Sequence, residues 1–225
     1  MSDMNENKYG RQELQMIEAA RRLFIEKGFR DTTMCDIAQE AGVNRSTLHY
    51  YFANKDVMFR AVFASIVETL RPRLEEIIAS DRPFMTRLSL IIDEYFDRFL
   101  ENPSIPGFII SEIQRDVDHL LATAREMHYD RLFSVIRDAL RAEMDAGRLR
   151  RVPMYTVFTV FYGSIAFPFI TRNLFTAWFN MSDEDFRCML MEWKSNILLQ
   201  LSNLLLGPAA ADEKPAREKV REEVE

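Results

Sequence analysis

The chain has 225 residues, of which 48% are hydrophobic and 28% charged, and its formal net charge at pH 7 is −6. This composition excludes a disordered chain, and the low content of 7 Gly and 8 Pro favours an all-α fold over a β-rich one. The first sixty residues carry nine basic and nine acidic side chains, so the whole charge of −6 falls on the remainder, which argues against a general nucleic-acid coat.

Two cysteines, Cys35 and Cys188, are too few for a disulfide framework and fit a reducing compartment. Neither has a second thiol or a histidine at metal-ligand spacing, so we predict no metal and no other cofactor. The N-terminus is polar and lacks an apolar signal segment, which makes the cytoplasm the expected location. Residues 1 to about 10 are predicted to form a mobile arm.

The first predicted helix follows this arm. Its apolar residues recur at intervals of three and four, and we expect it to end at Gly28. Phe29 is expected to fill a small core beneath the next two helices.

The stretch from Thr32 to Lys55 is predicted to form two short helices joined by a three-residue turn. Thr33 can cap the first helix, with Asp36 returning a hydrogen bond to the helix start. Gly42 lies in the turn, where glycine is the residue best able to adopt the left-handed conformation. Asn44 can then cap the second helix.

The second of these helices buries few side chains. Leu48 and Phe52 are four residues apart on one face, and polar or aromatic side chains occupy the other faces. This distribution indicates a surface that contacts another molecule.

The run AARRLF(x)3GF(x)2TTM(x)2IA(x)2AGV(x)3TLHYYF(x)2K resembles the DNA-binding domain of the tetracycline-repressor (TetR) family of bacterial transcriptional regulators. It covers about the first quarter of the chain. The resemblance implies an all-α protein with a three-helix DNA-binding domain, containing a helix-turn-helix, over residues 1–54. A larger helical effector-binding and dimerisation domain is then expected over residues 55–206, followed by a charged, disordered tail over residues 207–225.

In such a helix-turn-helix the second helix enters the major groove. Arg45 is the first candidate for a base contact, because its guanidinium matches two acceptors of guanine; a phosphate contact or a solvated arginine is the alternative. His49 stands where the family usually has tyrosine, Tyr51 where histidine is common, and Cys35 where a basic residue is frequent. The DNA contacts that the resemblance implies are Thr33, Arg45, Ser46, Thr47, His49, Tyr50, Tyr51 and Lys55.

One such unit makes too few contacts to select a genomic site. We therefore expect a homodimer that binds a palindromic double-stranded DNA operator, with half-sites about 35 Å apart. The last two predicted helices, 153–178 and 182–206, are the apolar surfaces most able to pair; filling the protomer's own core is the alternative. The candidate interface residues are Ile165, Phe169, Trp193, Ile197, Leu201 and Leu204.

Four helices are predicted between the helix-turn-helix and the last two helices. One starts near Lys55 and runs towards Ser80, kinked or interrupted at Pro72, and the next runs from Pro83 to Asn102. A short helix through Phe108 and Ile113 and one long helix from about Asp118 to Ala146 follow.

The segment from Val152 to Thr171 is uncharged and long enough to cross a bilayer. Its prolines, threonines and tyrosines make it too polar for a span. We therefore expect no membrane association and predict a helix that is buried on most sides and bent at Pro168.

The resemblance implies that the second domain binds a small-molecule effector, and aromatic and methionine side chains favour a hydrophobic or amphipathic one. The same side chains can instead be plain core. His119 and His128 lie nine residues apart on different helix faces, so a shared metal is not expected. The candidate ligand-binding residues are Tyr95, Phe96, Phe99, Phe108, Met127, Phe158, Phe161, Tyr162 and Phe175.

Catalysis is not predicted, since the sequence has no glycine-rich phosphate loop, no nucleophile elbow and no cysteine with an evident histidine partner. Two functions remain open. The first is a repressor that a small molecule releases from its operator, and the second is an effector-independent dimeric DNA-binding protein that acts by occupancy or through a protein partner.

Overall fold

The computed structural model describes residues 10–207, which form ten α-helices and no strand. The prediction of an all-α fold is confirmed. The predicted N-terminal arm and the charged tail fall almost wholly outside the described residues. The helices are α1 (Arg11–Asp31), α2 (Met34–Glu40), α3 (Arg45–Tyr51), α4 (Lys55–Ala79), α5 (Phe84–Glu101), α6 (Ile105–Glu126), α7 (Tyr129–Asp145), α8 (Met154–Ile170), α9 (Arg172–Trp178) and α10 (Asp183–Leu206).

The first three helices and the start of α4 share one small core, and we call residues 10–62 the head. Phe24, Leu48 and Phe59 are buried at its centre. α1 is interrupted at Gly28, where φ is +80°, and this break turns Phe29 inward against the other rings. The helix was predicted to end at Gly28; its regular part does stop there, but helical residues continue to Asp31, and the core position of Phe29 is confirmed.

The remaining residues, 63–207, form the body. α4 runs as one helix from the head into the body and continues through Pro72, so it is not interrupted there. It packs against α5 and α7, while α8 and α10 pack against each other and against α5. One helix therefore belongs to both parts and connects them.

The prediction of one long helix from Asp118 to Ala146 is wrong. α6 begins at Ile105, and it ends at Glu126 before a turn in which His128 adopts a left-handed backbone with φ of +58°. α7 starts on the far side of that turn. The sequence around this turn contains no glycine or proline, so local propensity gave no signal for the break.

The uncharged segment also differs from its prediction. α8 and α9 meet at Thr171 with a bend of 62°, three residues beyond Pro168. α8 is not buried on most sides, because Tyr155, Phe158 and Phe167 are exposed on it. Within residues 10–207 no single helix is long and apolar enough to cross a membrane; α8 and α9 pass that test only as a bent pair.

Candidate functional site

The helix-turn-helix begins with a closed hydrogen-bond loop at the start of α2. The Thr33 hydroxyl accepts the Asp36 N–H at 3.1 Å, while the Asp36 carboxylate accepts the Thr33 N–H at 2.9 Å and the Thr33 hydroxyl at 2.7 Å. These bonds to the ionised form hold the pKa of Asp36 below its usual value. The predicted capping box is confirmed, and it fixes the N-terminal end of α2.

The turn between α2 and α3 has the predicted glycine conformation. Gly42 has φ of +66°, which a side chain at this position would strain. The Val43 N–H donates to the Ala38 carbonyl at 2.9 Å, and the Gln15 side-chain amide donates to the Ala41 carbonyl at 2.9 Å. The turn is thus tied both to α2 and to α1, so the angle between α2 and α3 is fixed.

A single side-chain oxygen organises the start of α3. Oδ1 of Asn44 accepts the Thr47 N–H at 2.7 Å, the Thr47 hydroxyl at 2.8 Å and the Ser46 hydroxyl at 2.7 Å. Leu48 and Phe52 are buried beneath the helix. The opposite face, with Arg45, Ser46 and Tyr50, is therefore held outward in a defined orientation.

Arg45 is connected to a chain of contacts along α3. Its Nε donates to Nε2 of His49 at 3.4 Å, and Nδ1 of His49 lies 3.1 Å from the Ala53 carbonyl oxygen. An arginine side chain can only donate, so Nε2 of His49 is the acceptor in this contact. Nδ1 of His49 then carries the hydrogen and donates it in a hydrogen bond to the Ala53 carbonyl oxygen. Tyr50 is 84% exposed and stacks edge-to-face on Tyr51 at 5.2 Å between ring centroids.

Lys55 occupies a different environment from the rest of the predicted contacts. Its Nζ donates to the backbone carbonyls of Phe29 at 2.8 Å, Thr32 at 3.0 Å and Arg30 at 3.2 Å. An ammonium has three donors, so all of them are used within the head. A phosphate contact by Lys55, as the resemblance implied, would require it to leave this arrangement.

The predicted ligand-binding residues do not form one cluster. Tyr95 is the centre of the largest group, with ring centroids 5.6 Å from Phe161 and 5.8 Å from both Phe99 and Tyr162. Phe96 is fully buried in the adjoining core. Phe158 stacks on Tyr162 at 5.2 Å but is half-exposed.

Two others lie elsewhere. Phe108 packs on Phe59 at 5.8 Å, at the joint between body and head, and Phe175 packs against Phe179 at 5.7 Å beyond the bend between α8 and α9. Among the described ring contacts, none joins Phe108 or Phe175 to the Tyr95 cluster.

A third phenol completes the Tyr95 cluster. The hydroxyl oxygens of Tyr95 and Tyr129 are 3.5 Å apart. Burial raises the pKa of Tyr95, Tyr129 and Tyr162 above the usual phenol value. The sequence analysis did not name Tyr129, which begins α7 directly after the left-handed residue His128 and meets Tyr95 from there.

Three surface cavities are described, and they lie outside this aromatic cluster. The first, about 480 Å³, lies between the end of α3, α4 and the turn after α6. The second, about 650 Å³, adjoins the end of α4 and the start of α5, and the third, about 590 Å³, adjoins the end of α7 and the start of α8. Of the nine predicted ligand-binding residues only Met127 lines any of the three.

The six predicted interface residues divide into two groups. Four of them are buried in the protomer's own core, which is the alternative to an interface position: Ile165, Phe169, Ile197 and Leu201. Trp193 and Leu204 are partly buried and pack against that core. The exposed apolar residues of the last three helices, none of which was predicted to lie in the interface, are Tyr155, Phe158, Phe167, Ile170, Leu174, Trp178, Met191, Leu199 and Leu206.

No group of three or more His, Cys, Asp or Glu side chains in residues 10–207 has an arrangement that could hold a metal ion. His128 is exposed, whereas His119 packs against Phe59 with ring centroids 4.9 Å apart.

A capped helix-turn-helix with an outward polar and aromatic face is typical of DNA-binding regulatory proteins. A sequence profile described as bacterial regulatory proteins, tetR family, matches residues 16–62. The head of the chain therefore matches the tetR family, and the similar curated proteins and solved structures include transcriptional regulators of this kind.

Individual relatives agree with this assignment. The chain is 26% identical over 146 residues to the transcriptional repressor KstR2 of Rhodococcus jostii, covering 65% of this chain and 69% of that protein. It is 44% identical over 55 residues to the regulator TtgR of Pseudomonas putida, covering 24% and 26% of the two chains. Apart from the alignment with KstR2, the alignments with the similar curated proteins cover well under two thirds of the length of those proteins.

Solved structures extend the similarity of the fold to the body. FadR of Bacillus subtilis in complex with stearoyl-CoA matches with a TM-score of 0.63 and 19% identity, covering 84% of this chain and 96% of that chain. The fatty acid degradation regulator FadR of Bacillus halodurans matches with a TM-score of 0.64 and 15% identity, covering 85% and 96%.

Proposed function

We propose that this protein is a homodimeric transcriptional repressor that binds a palindromic operator through α3 and is released by a hydrophobic or amphipathic small molecule. The observation that carries DNA binding is the outward face of α3, where Arg45 is supported by His49 and the helix start is held by Asn44. The proposed DNA contacts are Thr33, Arg45, Ser46, Thr47, His49, Tyr50 and Tyr51, with Lys55 as a support for the head.

Arg45 is the proposed base-reading residue. It is exposed, lies in the first turn of α3 and carries a planar fork of donors that matches the major-groove edge of guanine. Arg22, by contrast, is paired with Glu40 at 3.0 Å, which reduces its attraction for phosphate.

Dimerisation is proposed through the exposed apolar surface of α8, α9 and α10. Phe167 is 56% exposed and Trp178 is 76% exposed, and such large side chains are costly to leave in water when they form one continuous surface. Two copies paired through this surface would present two α3 helices to one duplex, which is what recognition of a palindrome requires.

The proposed effector site is the region around Tyr95, Tyr129 and Tyr162 between α5, α7 and α8. Three phenol groups inside an aromatic cluster can hydrogen-bond one polar group while the surrounding rings accept an apolar chain. The names of the relatives add support, because stearoyl-CoA, bound by FadR of Bacillus subtilis, is an amphipathic molecule of this kind.

The alternative, an effector-independent regulator, is favoured by one observation. None of the three described cavities is lined by a residue of the tyrosine cluster, and the rings there are in contact, with the centroids of Tyr95 and Tyr162 5.8 Å apart. Under that alternative, gene expression changes with the amount of protein or with a protein partner.

Selection of bound sequences from a random duplex library tests DNA binding. We expect an enriched inverted repeat; a library without enrichment would contradict the proposal. Thermal shift with a panel that includes stearoyl-CoA, free fatty acids and sterols, each repeated with the selected duplex, then separates the two functions. A ligand that stabilises the free protein and lowers its affinity for DNA supports the repressor, whereas no response across the panel favours the alternative.

A further inference from the structure

One aromatic ring lies at the joint between head and body. Phe29 belongs to the head, and two cations lie over its ring: Nζ of Lys55 is 4.5 Å from the ring centroid and Cζ of Arg115 is 4.1 Å from it. Lys55 donates hydrogen bonds to backbone carbonyls of the head, those of Phe29 and Thr32. Arg115 belongs to α6 of the body, so its contact with Phe29 joins the two parts.

The Arg115 side chain is held in place from within α6. Its Nε and Nη2 donate to Oε2 of Glu112 at 2.7 Å and 2.6 Å, and Glu112 is only 1% exposed. A carboxylate is buried at a large cost unless it is paired, so Glu112 requires Arg115 beside it. The Nη2 atom also lies 3.0 Å from Nδ1 of His119, whose ring packs on Phe59 of the head.

α6 changes direction beside this contact. Asp116 has non-helical dihedral angles, φ −165° and ψ 86°, and its carboxylate accepts the His119 backbone N–H at 3.0 Å. Asp116 therefore ends one helical segment and caps the next. Arg115 is the last residue before the break, and His119 is in the first turn after it.

We propose that Arg115 is the positioning residue that fixes the angle of the head on the body, through Glu112 on one side and Phe29 on the other. A change in the bend of α6 at Asp116 would move the guanidinium relative to Phe29 and so turn the head. That this movement changes operator affinity rests on the proposed function, but the positioning role does not.

The two native cysteines can carry the labels for a distance measurement that tests this proposal. Cys35 lies on α2 of the head and Cys188 on α10 of the body, and both thiols are exposed. Spin labels on both report the distance between head and body by double electron–electron resonance in the full chain. Labelled protein is mixed with an excess of unlabelled protein, so that only distances within one protomer contribute.

The test variant is the double substitution Glu112→Met and Arg115→Met, because removing Arg115 alone would leave a buried, unpaired carboxylate. A matched control is the double substitution Glu94→Met and Arg98→Met. Arg98 has two carboxylate partners within α5 and is 20% exposed, close to the 16% of Arg115, but no ring of the head lies under it among the described contacts. Circular dichroism confirms that each variant is folded.

We expect one narrow distance in the parent and in the control, and a broadened or displaced distribution in the Glu112–Arg115 variant. An unchanged distribution in that variant would overturn the proposal. If that variant does not fold, Arg115→Lys keeps the charge beside Glu112 while removing the planar fork, and the same two outcomes apply to it.

A second measurement connects the angle of the head to function. With the selected duplex, we expect the Glu112–Arg115 variant to lose affinity about tenfold relative to the control, because fewer molecules present the two heads at the spacing of the half-sites. If the parent binds no duplex, the proposed function fails while the distance measurement still decides the role of Arg115. Equal affinity of variant and control, together with equal distances, would remove that role.

Discussion

The guanidinium of Arg45 and the imidazole of His49 are bonded on the outward face of α3, with Nε and Nε2 separated by 3.4 Å. His49 in turn reaches the Ala53 carbonyl at the end of the helix. This contact restricts the arginine side chain in the free protein, so we expect a smaller loss of entropy if Arg45 binds a base as proposed.

Arg45→Ala is expected to relax sequence preference. The loss of a two-pronged guanine contact should reduce discrimination between the selected operator and a single-base variant by about 1–3 kcal/mol, while affinity for unrelated DNA changes much less. Competition binding with a set of single-base operator variants measures this. Arg22→Ala is the control, since Arg22 is already paired with Glu40; equal loss of discrimination in both variants would remove Arg45 as the base-reading residue.

Lys55→Met is expected to destabilise the head. The ammonium satisfies three backbone carbonyls at the end of α1, and its removal should cost about 1–3 kcal/mol of unfolding free energy. Urea denaturation measures the change. Lys27→Met is the control, because Lys27 is an exposed lysine of α1. A variant as stable as the parent that binds DNA with a reduced salt dependence would instead assign Lys55 to a phosphate contact.

Ionisation of the tyrosine cluster should reduce stability in alkali. Burial raises the pKa of Tyr95 in the folded state above the 10.0 of a free phenol, so the unfolded chain loses this proton first as the pH rises. The stabilisation is therefore complete below pH 10 and decreases as the pH climbs from there towards the folded-state pKa.

The pH dependence can be measured by urea denaturation on both sides of pH 10. Tyr95→Phe should show a smaller alkaline loss than the parent, whereas the same change at the exposed Tyr155 should leave the loss as it is. Identical alkaline losses in all three proteins would contradict a buried, neutral Tyr95.

Phe167→Glu is expected to separate the protomers. Phe167 is exposed on α8, and a carboxylate there would have to be desolvated on pairing through this face. Analytical ultracentrifugation should therefore record a lower average mass for this variant at concentrations where the parent is dimeric. Tyr50→Glu, at an exposed aromatic of the head, should leave the mass unchanged; a dimer that persists in Phe167→Glu would place the interface elsewhere.

The sequence predicted the head well because its signals are local. Thr33 with Asp36, Gly42 and Asn44 each act on backbone groups within four residues, so their roles can be read without knowing the tertiary structure. The start of α10 was predicted to within one residue, at 182 against Asp183, because the capping box of Ser182 with Asp185 is equally local.

The features that were missed depend on distant contacts. Lys55 interacts with carbonyls more than twenty residues earlier, and Tyr129 meets Tyr95 across two helices. The left-handed turn at His128 breaks a run of good helix formers, so packing overrides propensity there. Apolar periodicity also marked Ile165 and Ile197 as buried, but it could not distinguish the protomer's core from an interface.

The central claim is that two α3 helices, fixed by a two-fold dimer, bind one duplex together. Fluorescence anisotropy with the selected operator tests it most directly when the two half-sites are moved apart by about 5 base pairs, half a helical turn. We predict a loss of affinity of about a hundredfold, because the second head then faces the wrong side of the duplex and contributes nothing. Equal affinity for the original and the displaced half-sites would contradict the claim.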